Sequence, residues 1–467
     1  MTDSKIDSTT FRPISRRGVL GMAAGAVAAA TLAACSSGKS AGGKSDGPVT
    51  ITAMGMPPTT NAAARKLYQD QVQQFQAAHP DIKVTASDEQ WDARTFAARL
   101  AGGTASTVLQ VPMTEPAGLI ARRQVADITA EAKTLSVFSQ YDHRILDMTS
   151  HDGKVYGLTS SAYSLGLAYN RELFTKAGLD PDQPPTTWDD LRTAAKAITD
   201  KTGVPGYGEM TVKNTGGWHL TAETYTRGGV MEKESGSAYV PAFIDTPTRD
   251  QLKLLAAMRW DDKSMGTNQL RNQEDLVKDL AAGNVGMIIA APDLISHYVM
   301  NYKGDPAKLG IGAMPQGGAN ATLLGGTVWM VSTKASAAQR AAAVKFIDFI
   351  SLRPGYDETL AAASAKSSAA DKIPVGIPKV PVFGRAVYDK IQAAIKPYVN
   401  LPLENYAPYI AGDAKLNYQA EPPVAAQDLY AALDNVVQAV LTKQGTDVDA
   451  ALSDAEAKVA AAIKRAQ

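Results

Sequence analysis

Hydrophobic spacing divides the chain after its first fifty residues into a regular series of strands and helices. Val49–Met54 alternates like a strand, residues 61–79 place apolar side chains on one helical face, and Ile82–Val84 forms a second strand. A further helix ends at Gly102-Gly103, and Val108–Val111 is a third strand. This β-α-β-α-β order predicts a parallel sheet with helices on both faces.

A strand, a short helix and a second helix start follow in the middle of the chain. Leu165, Leu167 and Tyr169 alternate with small residues, as in a half-buried strand. The short helix after them should end at Gly178, which tolerates the left-handed conformation of a C-terminal cap. Thr187 is placed to cap the next helix.

The last third of the chain is rich in alanine and mostly helical by its spacing. Helices are predicted over Ala341–Leu352, 427–442 and 448–465. Trp329 lies in a predicted strand before them, and its apolar neighbours favour a core position over a binding role.

Length, charge and composition narrow the class of protein. The chain has 467 residues, of which 45% are hydrophobic and 20% charged, and its formal net charge is zero. This length predicts two or more lobes rather than a single core. The neutral balance argues against a nucleic-acid groove, which normally carries a basic patch.

The N-terminus carries the pattern of an export signal. Arg16-Arg17 and the weakly apolar run Val19–Ala34 precede Cys35, the only cysteine of the chain. We predict a twin-arginine lipoprotein signal peptide over residues 1–34 and lipidation of Cys35. A transmembrane anchor fits less well because the run is short, rich in alanine and glycine, and ends at a cysteine.

Residues 35–47 are predicted to be a flexible Ser/Gly tether. Gly38–Ser45 formally satisfies the phosphate-binding P-loop pattern. That chemistry needs a buried strand before the loop and a helix after it, whereas this segment follows the predicted lipid anchor and runs into Asp46-Gly47-Pro48. The tether interpretation is therefore favoured.

Several motifs together resemble the family 1 extracellular solute-binding proteins of ABC importers, which include maltose- and sugar-binding lipoproteins. The motif Y-N-R-E-L-F-x-K-A-G-L-D-P begins at Tyr169, and P-x-T-W-D-D-L begins at Pro185. Gly153–Leu158 resembles the family's G-K-x-Y-G-[LIV] element, and Gly283–Ile289 resembles its G-x-x-[AG]-M strand. The resemblance extends from about residue 48 to the end of the chain.

The resemblance implies an α/β, two-lobed periplasmic-binding-protein fold of type II. Each lobe should hold a mixed, mostly parallel sheet flanked by helices, and a hinge should join the lobes. The expected N-terminal lobe comprises residues 48–160 with 327–352, and the expected C-terminal lobe comprises 161–326 with 353–467.

The ligand should lie between the lobes, near loops at the carboxyl ends of strands. Glu115 can accept hydrogen bonds from sugar hydroxyls, and aromatic faces can pack on sugar rings. Ordinary surface loops or packing roles remain alternatives for several of these positions. The candidate ligand-binding residues are Met56, Trp91, Met113, Glu115, Tyr163, Trp218, His219, Asp293, Gly326, Thr327 and Tyr418.

The sequence departs from the family pattern at two places. Thr159 stands where the family usually has proline, and Asp293 stands where it commonly has a tryptophan in the cleft. A carboxylate at that position favours a ligand with more hydroxyl or cationic character.

The implied protein is a lipid-anchored extracytoplasmic receptor that binds a carbohydrate and delivers it to ABC permease subunits. A monomer without cofactor, metal ion or nucleic acid is expected. The alternatives are a receptor for a polyol, a glycerol-phosphate ester or a peptide, and a ligand-sensing lipoprotein.

An enzyme is not expected. The five histidines form no H-x-x-x-H or H-E-x-x-H pair, and no G-x-S-x-G elbow is present. A glycosidase pair stays open in principle, since spacing along the chain does not reveal how far apart two carboxylates lie in space.

Overall fold

The computed structural model describes residues 47–92, 95–236 and 238–466. The predicted signal peptide, Cys35 and the tether up to Asp46 lie outside the described residues. Gly47–Gln467 forms one compact unit. None of the helices in the described ranges combines the length and the apolar character needed to cross a bilayer.

The strands predicted to begin at Val49, Ile82, Val108 and Leu165 are present within two residues of the expected bounds. In chain order the strands are β1 Val49–Ala53, β2 Ile82–Ala86, β3 Val108–Pro112, β4 Ser150–His151, β5 Lys154–Val155, β6 Gly157–Ser164, β7 Gly166–Asn170, β8 Tyr207–Gly208, β9 Glu232–Ser235, β10 Ala238–Pro241, β11 Met287–Ala290, β12 Leu309–Ala313, β13 Ala321–Val331 and β14 Asn417–Gln419.

The α-helices lie between and after these strands. They are α1 Ala62–Ala78, α2 Phe96–Gly102, α3 Pro116–Ala121, α4 Thr129–Ala132, α5 His143–Asp147, α6 Arg171–Ala177, α7 Trp188–Thr202, α8 Thr215–Thr226, α9 Thr246–Ala256, α10 Gln273–Ala282, α11 Leu294–Ser296, α12 Ala337–Ile347, α13 Glu358–Ala370, α14 Arg385–Ile395, α15 Ala407–Asp413, α16 Ala426–Thr442 and α17 Val448–Ala466. Wider π-helical turns extend α9, α11 and α12 over Ala257–Asp261, His297–Asn301 and Asp348–Leu352.

The first sheet is mixed, and the described residues give it six strands. Its order is β14-β13-β3-β1-β2, with β6 also paired to β13. β1 is parallel to β2 and β3, as the β-α-β-α-β pattern predicts, whereas β13 is antiparallel to β3 and β6. Trp329 is 2% exposed in this sheet, which confirms its predicted core position.

The second sheet has four strands within the described residues, in the order β12-β7-β11-β8. β7 is antiparallel to both β11 and β12, and only the pairing of β11 with β8 is parallel. This sheet therefore differs from the mostly parallel arrangement expected. The physical reason is that β7 comes from the first lobe and lies between β11 and β12, which follow it by more than a hundred residues, so long-range packing sets its direction.

Local signals fix the start of the second lobe as the sequence predicts. The Asn170 side chain accepts a hydrogen bond from the backbone N–H of Leu173 at 3.0 Å and so caps α6. Gly178 ends that helix with a φ of 78°. The Thr187 hydroxyl then accepts from the N–H of Asp190 at 3.1 Å and caps α7. Trp188 is buried beneath this cap.

The chain passes between the two sheets over very short distances. Leu165 alone separates β6 in the first sheet from β7 in the second. The return runs from β12 in the second sheet to β13 in the first, through residues 314–320. The two-lobed α/β architecture predicted from the sequence is thereby confirmed.

Residues 353–467 contribute to both lobes, whereas the family resemblance predicts them in the second lobe alone. Val380 and Phe383 belong to the core around the first sheet, and Val380 forms a bridge with Ala162 of β6. Leu433 and Val459, from α16 and α17, belong to the core around the second sheet. The reason is long-range packing, which the spacing within 353–467 does not encode.

Candidate ligand-binding site

The two methionines nominated from the first-lobe loops are buried. Met56 is 4% exposed and packs in the core around the first sheet. Met113 is 5% exposed, and its backbone N–H donates to the carbonyl of Gly326 at 3.1 Å. Both side chains pack under their loops and leave little exposed surface for contact with a solute.

Glu115 and Trp91 lie together beside those loops. Glu115 sits at the start of α3 and is half-buried. Burial raises the pKa of its carboxyl group, while the charge of Arg122 and the neighbouring Trp91 act in the opposite direction. The indole nitrogen of Trp91 has no partner at normal hydrogen-bond geometry among the described residues, but the ring is near enough to favour the ionised carboxylate.

Tyr163 stands at the passage between the lobes. It is half-buried near the end of β6, opposite Gly325 of β13. A Cβ atom on Gly325 would lie 2.4 Å from the Tyr163 ring, so the ring rests directly over the glycine. The ring meets Trp218 of α8 edge to face, with centroids 6.5 Å apart. Strand β6 and the second lobe thus present adjacent aromatic faces.

A further carboxylate near Tyr163 and Glu115 is Glu421, in the segment between β14 and α16. It is 7% exposed and accepts a hydrogen bond from the Tyr430 hydroxyl at 2.6 Å. Burial raises the pKa of Glu421 to about 7; the Tyr430 hydrogen bond lowers it, and the charge of Glu115 raises it further. The same carboxylate acts electrostatically on Tyr163.

Glu232 is the third carboxylate of this group. Burial raises its pKa to about 8, although the backbone N–H of Val424 donates to its Oε2 at 3.1 Å. Its other oxygen, Oε1, is buried without a hydrogen-bond partner among the described residues. Burial, and then the charges of Glu421 and Glu232, raise the pKa of Tyr225, which places that ring near both carboxylates.

Asp293 lies on the second-lobe side of the same region. It is exposed, and partial desolvation raises its pKa, whereas the charge of His297 lowers it. It lines a cavity of about 410 Å³ with Lys213, Thr215 and His297, among others. Its charge also acts on Tyr163.

Gly326 and Thr327 form part of β13 rather than a free loop. Gly326 pairs with Ala162, and a Cβ atom there would lie 2.3 Å from the carbonyl oxygen of Ser161. The Thr327 carbonyl accepts a hydrogen bond from Ser160 at 3.4 Å. The backbone of both residues is engaged in pairing, and only the half-buried Thr327 side chain has access to solvent.

His219 and Tyr418 are held by other groups. His219 is 1% exposed, and its Nδ1 lies 2.8 Å from Oε1 of Glu209 inside the second lobe, so its ring does not reach a solute in the cleft. Tyr418 donates to Asp413 at 2.9 Å, and the Arg144 guanidinium lies 4.7 Å from its ring centroid. The buried position of His219 does not fit the expected contact with a ligand. A ligand contact of the half-buried Tyr418 stays a prediction.

The structure therefore brings together five of the nominated residues with others that sequence reasoning missed. The nominated members are Trp91, Glu115, Tyr163, Trp218 and Asp293. The additional members are Tyr225, Glu232, Glu421 and Tyr430. Glu421 directly precedes the Pro422-Pro423 turn, and a carboxylate beside that turn was the one local signal available.

This arrangement suits recognition of a polar solute. Carboxylates accept hydrogen bonds from hydroxyl groups, and tyrosine and tryptophan rings supply apolar faces. Three carboxylates with raised pKa values, in a place where little water reaches them, favour a ligand that brings several donors or a positive charge.

Comparison with known proteins gives a consistent assignment. A family model described as bacterial extracellular solute-binding protein matches residues 58–355. The sn-glycerol-3-phosphate-binding periplasmic protein UgpB of Shigella dysenteriae is 24% identical over 298 residues, which cover 60% of this chain and 65% of that protein. The match thus spans just under two thirds of the length of such curated relatives.

Solved structures share the fold. The cyclic alpha-maltosyl-1,6-maltose binding protein of Arthrobacter globiformis is similar at a TM-score of 0.64 and 22% identity, covering 90% of this chain and 100% of that one. UgpB of Mycobacterium tuberculosis, solved with glycerophosphocholine, is similar at a TM-score of 0.66 and 16% identity, covering 90% and 99%.

Proposed function

Because this chain belongs to the family of bacterial extracellular solute-binding proteins, we propose that it captures a sugar or oligosaccharide between its lobes and delivers it to an ABC importer. The family consists of receptors, and the proposed mechanism is binding and release without turnover of the solute. The partners would be permease subunits in the membrane.

The observation that carries this proposal is the group of carboxylates and rings around Tyr163. Glu115 and Glu421 are near enough to influence each other, and Tyr163 and Trp218 meet edge to face beside them. A pyranose ring presents hydroxyl donors around its rim and C–H groups on its faces. Carboxylates at the rim and aromatic rings against the faces satisfy both surfaces.

Binding would favour a closed arrangement of the lobes. A solute that touches the first-lobe residue Glu115 and the second-lobe residues Trp218 and Asp293 makes its full set of contacts only when the lobes approach each other. Solute then shifts the population toward that state. The short passages at Leu165 and residues 314–320 are where backbone rotation would occur.

A glycerol-phosphate ester is a second candidate solute. Lys213 and His297 line the same cavity as Asp293 and can provide positive charge or hydrogen bonds to a phosphate. The UgpB relatives carry that ligand class in their names. A choline-like cation on such an ester would face the acidic group around Glu421.

We further propose that the protein is exported and anchored to the outer face of the cell membrane by lipid on Cys35. The supporting features are Arg16-Arg17, the apolar run Val19–Ala34 and the single cysteine. A monomer is proposed.

Thermal shift of the purified protein against defined solutes tests the function. The panel holds maltose, lacto-N-biose, tagatose, glycerol, sn-glycerol-3-phosphate, glycerophosphocholine and a tripeptide. A solute at 100 times its dissociation constant should stabilise the fold by about 2.7 kcal/mol. We expect this for one sugar class, with the sugar recovered unchanged.

The other outcomes decide between alternatives. A shift only with the phosphate esters would replace the sugar by the second candidate. A response only to glycerol or the peptide would support a receptor but exclude both the sugar and the phosphate ester as its solute. Chemical conversion of any solute would contradict the receptor mechanism. Uptake of the bound solute by cells that contain the importer, and its loss on deletion of this chain, would separate transport from sensing.

A further inference from the structure

Helix α15 of the second lobe lies beside both passages between the lobes. Its Tyr409 packs in the same core as Ile311 of β12. At the first passage, a Cβ atom on Gly166 would lie 2.8 Å from the Tyr409 ring. At the start of the return passage, a Cβ atom on Gly412 would lie 2.5 Å from the Cβ atom of Ala313. Because these contacts are so close, backbone rotation in either passage alters the contacts of α15.

Two side chains of α15 bind the last residue of β6. The Ser164 hydroxyl donates to Oδ1 of Asp413 at 2.5 Å, and its oxygen lies 2.8 Å from the Tyr409 hydroxyl. Serine has one hydroxyl proton, and the carboxylate receives it, so Tyr409 is the donor in the second contact. The Tyr409 hydroxyl also lies 3.2 Å from the Ser164 carbonyl oxygen. A second-lobe helix thus holds a strand of the first sheet directly before Leu165.

The other oxygen of the same carboxylate reaches the first sheet at a second point. Tyr418 of β14 donates to Oδ2 of Asp413 at 2.9 Å. Tyr418 pairs with Thr322 of β13, close to the end of the return passage. The guanidinium of Arg144, on α5 of the first lobe, lies 4.7 Å from the Tyr418 ring centroid. One carboxylate therefore connects the second-lobe helix to both places where the chain enters or leaves the first sheet.

This carboxylate is buried and is held by hydroxyl groups. Asp413 and Ser164 are 6% and 0% exposed. Burial raises the pKa of Asp413, whereas the hydrogen bonds from Ser164 and Tyr418 lower it. The nearby Arg144 forms its ion pair with Asp142, at 2.7 Å. Hydrogen bonds to an ionised group are strong where little water competes for them, so these two bonds resist changes in geometry.

We propose that Asp413 is a positioning residue for solute binding, because it ties α15 to Ser164 and Tyr418 and so fixes the angle between the lobes. The four residues Ser164, Tyr409, Asp413 and Tyr418 are called the interlobe latch. Rotation of one lobe against the other moves Ser164 and Tyr418 relative to α15. Both bonds to Asp413 keep their geometry only in the arrangement that the structure shows, so the latch favours that arrangement over the others.

The consequence for affinity rests on the proposed function, whereas the latch itself does not depend on which solute binds. In the present arrangement Glu115 of the first lobe already lies near Glu421, and Tyr163 meets Trp218. The latch therefore raises the fraction of molecules that are ready to bind, and apparent affinity increases with that fraction. The sequence gave no sign of this connection, since Asp413 follows Ser164 by 249 residues.

The distance between the lobes of the solute-free protein tests the proposal. Spin labels are attached at Gln74→Cys on α1 and Lys278→Cys on α10, both exposed positions, in a Cys35→Ser background, and the distance distribution is measured by double electron–electron resonance. We expect one dominant distance in the otherwise unmodified protein. Ser164→Ala and Tyr418→Phe should each lower the population of that arrangement relative to the others by about tenfold, as loss of a hydrogen bond to a charged group does.

Tyr356→Phe is the matched control for the distance measurement. Tyr356 is half-buried like Tyr418 and donates to a carboxylate, Oδ1 of Asp348 at 2.7 Å, but both residues of this pair lie in the first lobe. The control should lose stability without a change in the distance between the lobes. A purely structural role of the latch would give the same result for Ser164→Ala, so the distance separates positioning from stability. Melting curves identify which variants are folded.

The proposal is overturned if folded Ser164→Ala and Tyr418→Phe variants give the same distance distribution as Tyr356→Phe. Isothermal titration with the panel solutes adds a second measurement, in which Ser164→Ala should weaken binding by about threefold or more. Unchanged affinity for a solute that binds the unmodified protein would also overturn the positioning role. A panel in which no solute binds would contradict the proposed function instead, and the distances, measured without solute, would still decide whether the latch exists.

Discussion

The rings of Tyr163 and Trp218 meet edge to face, with centroids 6.5 Å apart and planes at 80°. Tyr163 belongs to the strand that leaves the first sheet, and Trp218 belongs to a helix of the second lobe. Such pairs contribute about 0.5–1.5 kcal/mol beyond the burial of their area. The contact links the passage between lobes to the wall of the proposed cleft.

Replacing Trp218 by leucine should weaken solute binding. The change removes an aromatic face next to Tyr163, and loss of such an anchor commonly costs about 2 kcal/mol or more of binding free energy. Isothermal titration with the solute found in the thermal-shift panel measures the loss. Trp260→Leu is the matched control, since Trp260 is also half-buried and its indole donates to the carbonyl of Val440 at 2.9 Å. Equal affinities of the two variants would remove Trp218 from the site.

Replacing Glu421 by glutamine should change how stability depends on pH. Burial raises the Glu421 pKa from 4.5 to about 7, so the folded protein favours the neutral carboxyl group. Its contribution to stability is therefore complete below about pH 4.5 and is lost as pH rises toward about 7. Glutamine stays neutral throughout, so the free energy of unfolding of the variant should rise relative to that of the unmodified protein as pH increases, by on the order of 3 kcal/mol.

Melting temperatures of the solute-free proteins across this pH range test the expectation. Glu358→Gln, at an exposed position on α13, is the control and should follow the unmodified protein. A constant difference between Glu421→Gln and the unmodified protein at all pH values would show that the Glu421 carboxyl group does not titrate in this way.

Alanine at the two glycines of β13 should have distinct effects. At Gly325 the new Cβ atom would meet the Tyr163 ring at 2.4 Å, and a side chain can move aside. At Gly326 the new Cβ atom would meet the carbonyl oxygen of Ser161 at 2.3 Å. That oxygen belongs to the backbone of a paired strand, which cannot move aside as a side chain can. Gly326→Ala should therefore destabilise the fold by about 1–3 kcal/mol. Gly325→Ala should act mainly on solute affinity.

Thermal melting and titration of both variants compare the two effects. A Gly325→Ala variant that binds solute like the unmodified protein would mean that the position of the Tyr163 ring is unimportant for binding. A Gly326→Ala variant of unchanged stability would mean that β13 and β6 can separate at this point without cost.

Replacing Thr187 by alanine should destabilise the second lobe modestly. The variant loses the hydroxyl that accepts from the N–H of Asp190 at the start of α7. Loss of an N-terminal cap typically costs about 0.5–2 kcal/mol. Chemical denaturation measures the change. Thr187→Ser keeps the oxygen and should stay close to the unmodified protein, so equal losses in both variants would assign the effect to the methyl group.

Replacing Cys35 by serine should release the protein from the membrane. A thioether-linked lipid needs the cysteine sulfur, and Cys35 is the only cysteine in the chain. Fractionation of expressing cells, with metabolic labelling by a radioactive fatty acid, measures anchoring. The unmodified protein should be labelled and sediment with membranes. Membrane association or labelling retained in Cys35→Ser would contradict lipidation at this residue.

The sequence by itself determined the elements and the fold class, because their causes are local. The alternation of Leu165, Leu167 and Tyr169, the glycine at the end of α6 and the cap at Thr187 act within a few residues, and each appears in the structure where it was expected. The motif beginning at Tyr169 then pointed to the family through spacing along one stretch of chain.

Only the tertiary structure decided which side chains meet. Glu421 lies about three hundred residues from Glu115, yet their carboxylates influence each other. His219 was expected to face a ligand, but its helix turns it inward to Glu209, while the neighbouring Trp218 stays half-buried beside Tyr163. Such relationships depend on how distant elements pack and on which face of a helix is covered, and local spacing does not specify either.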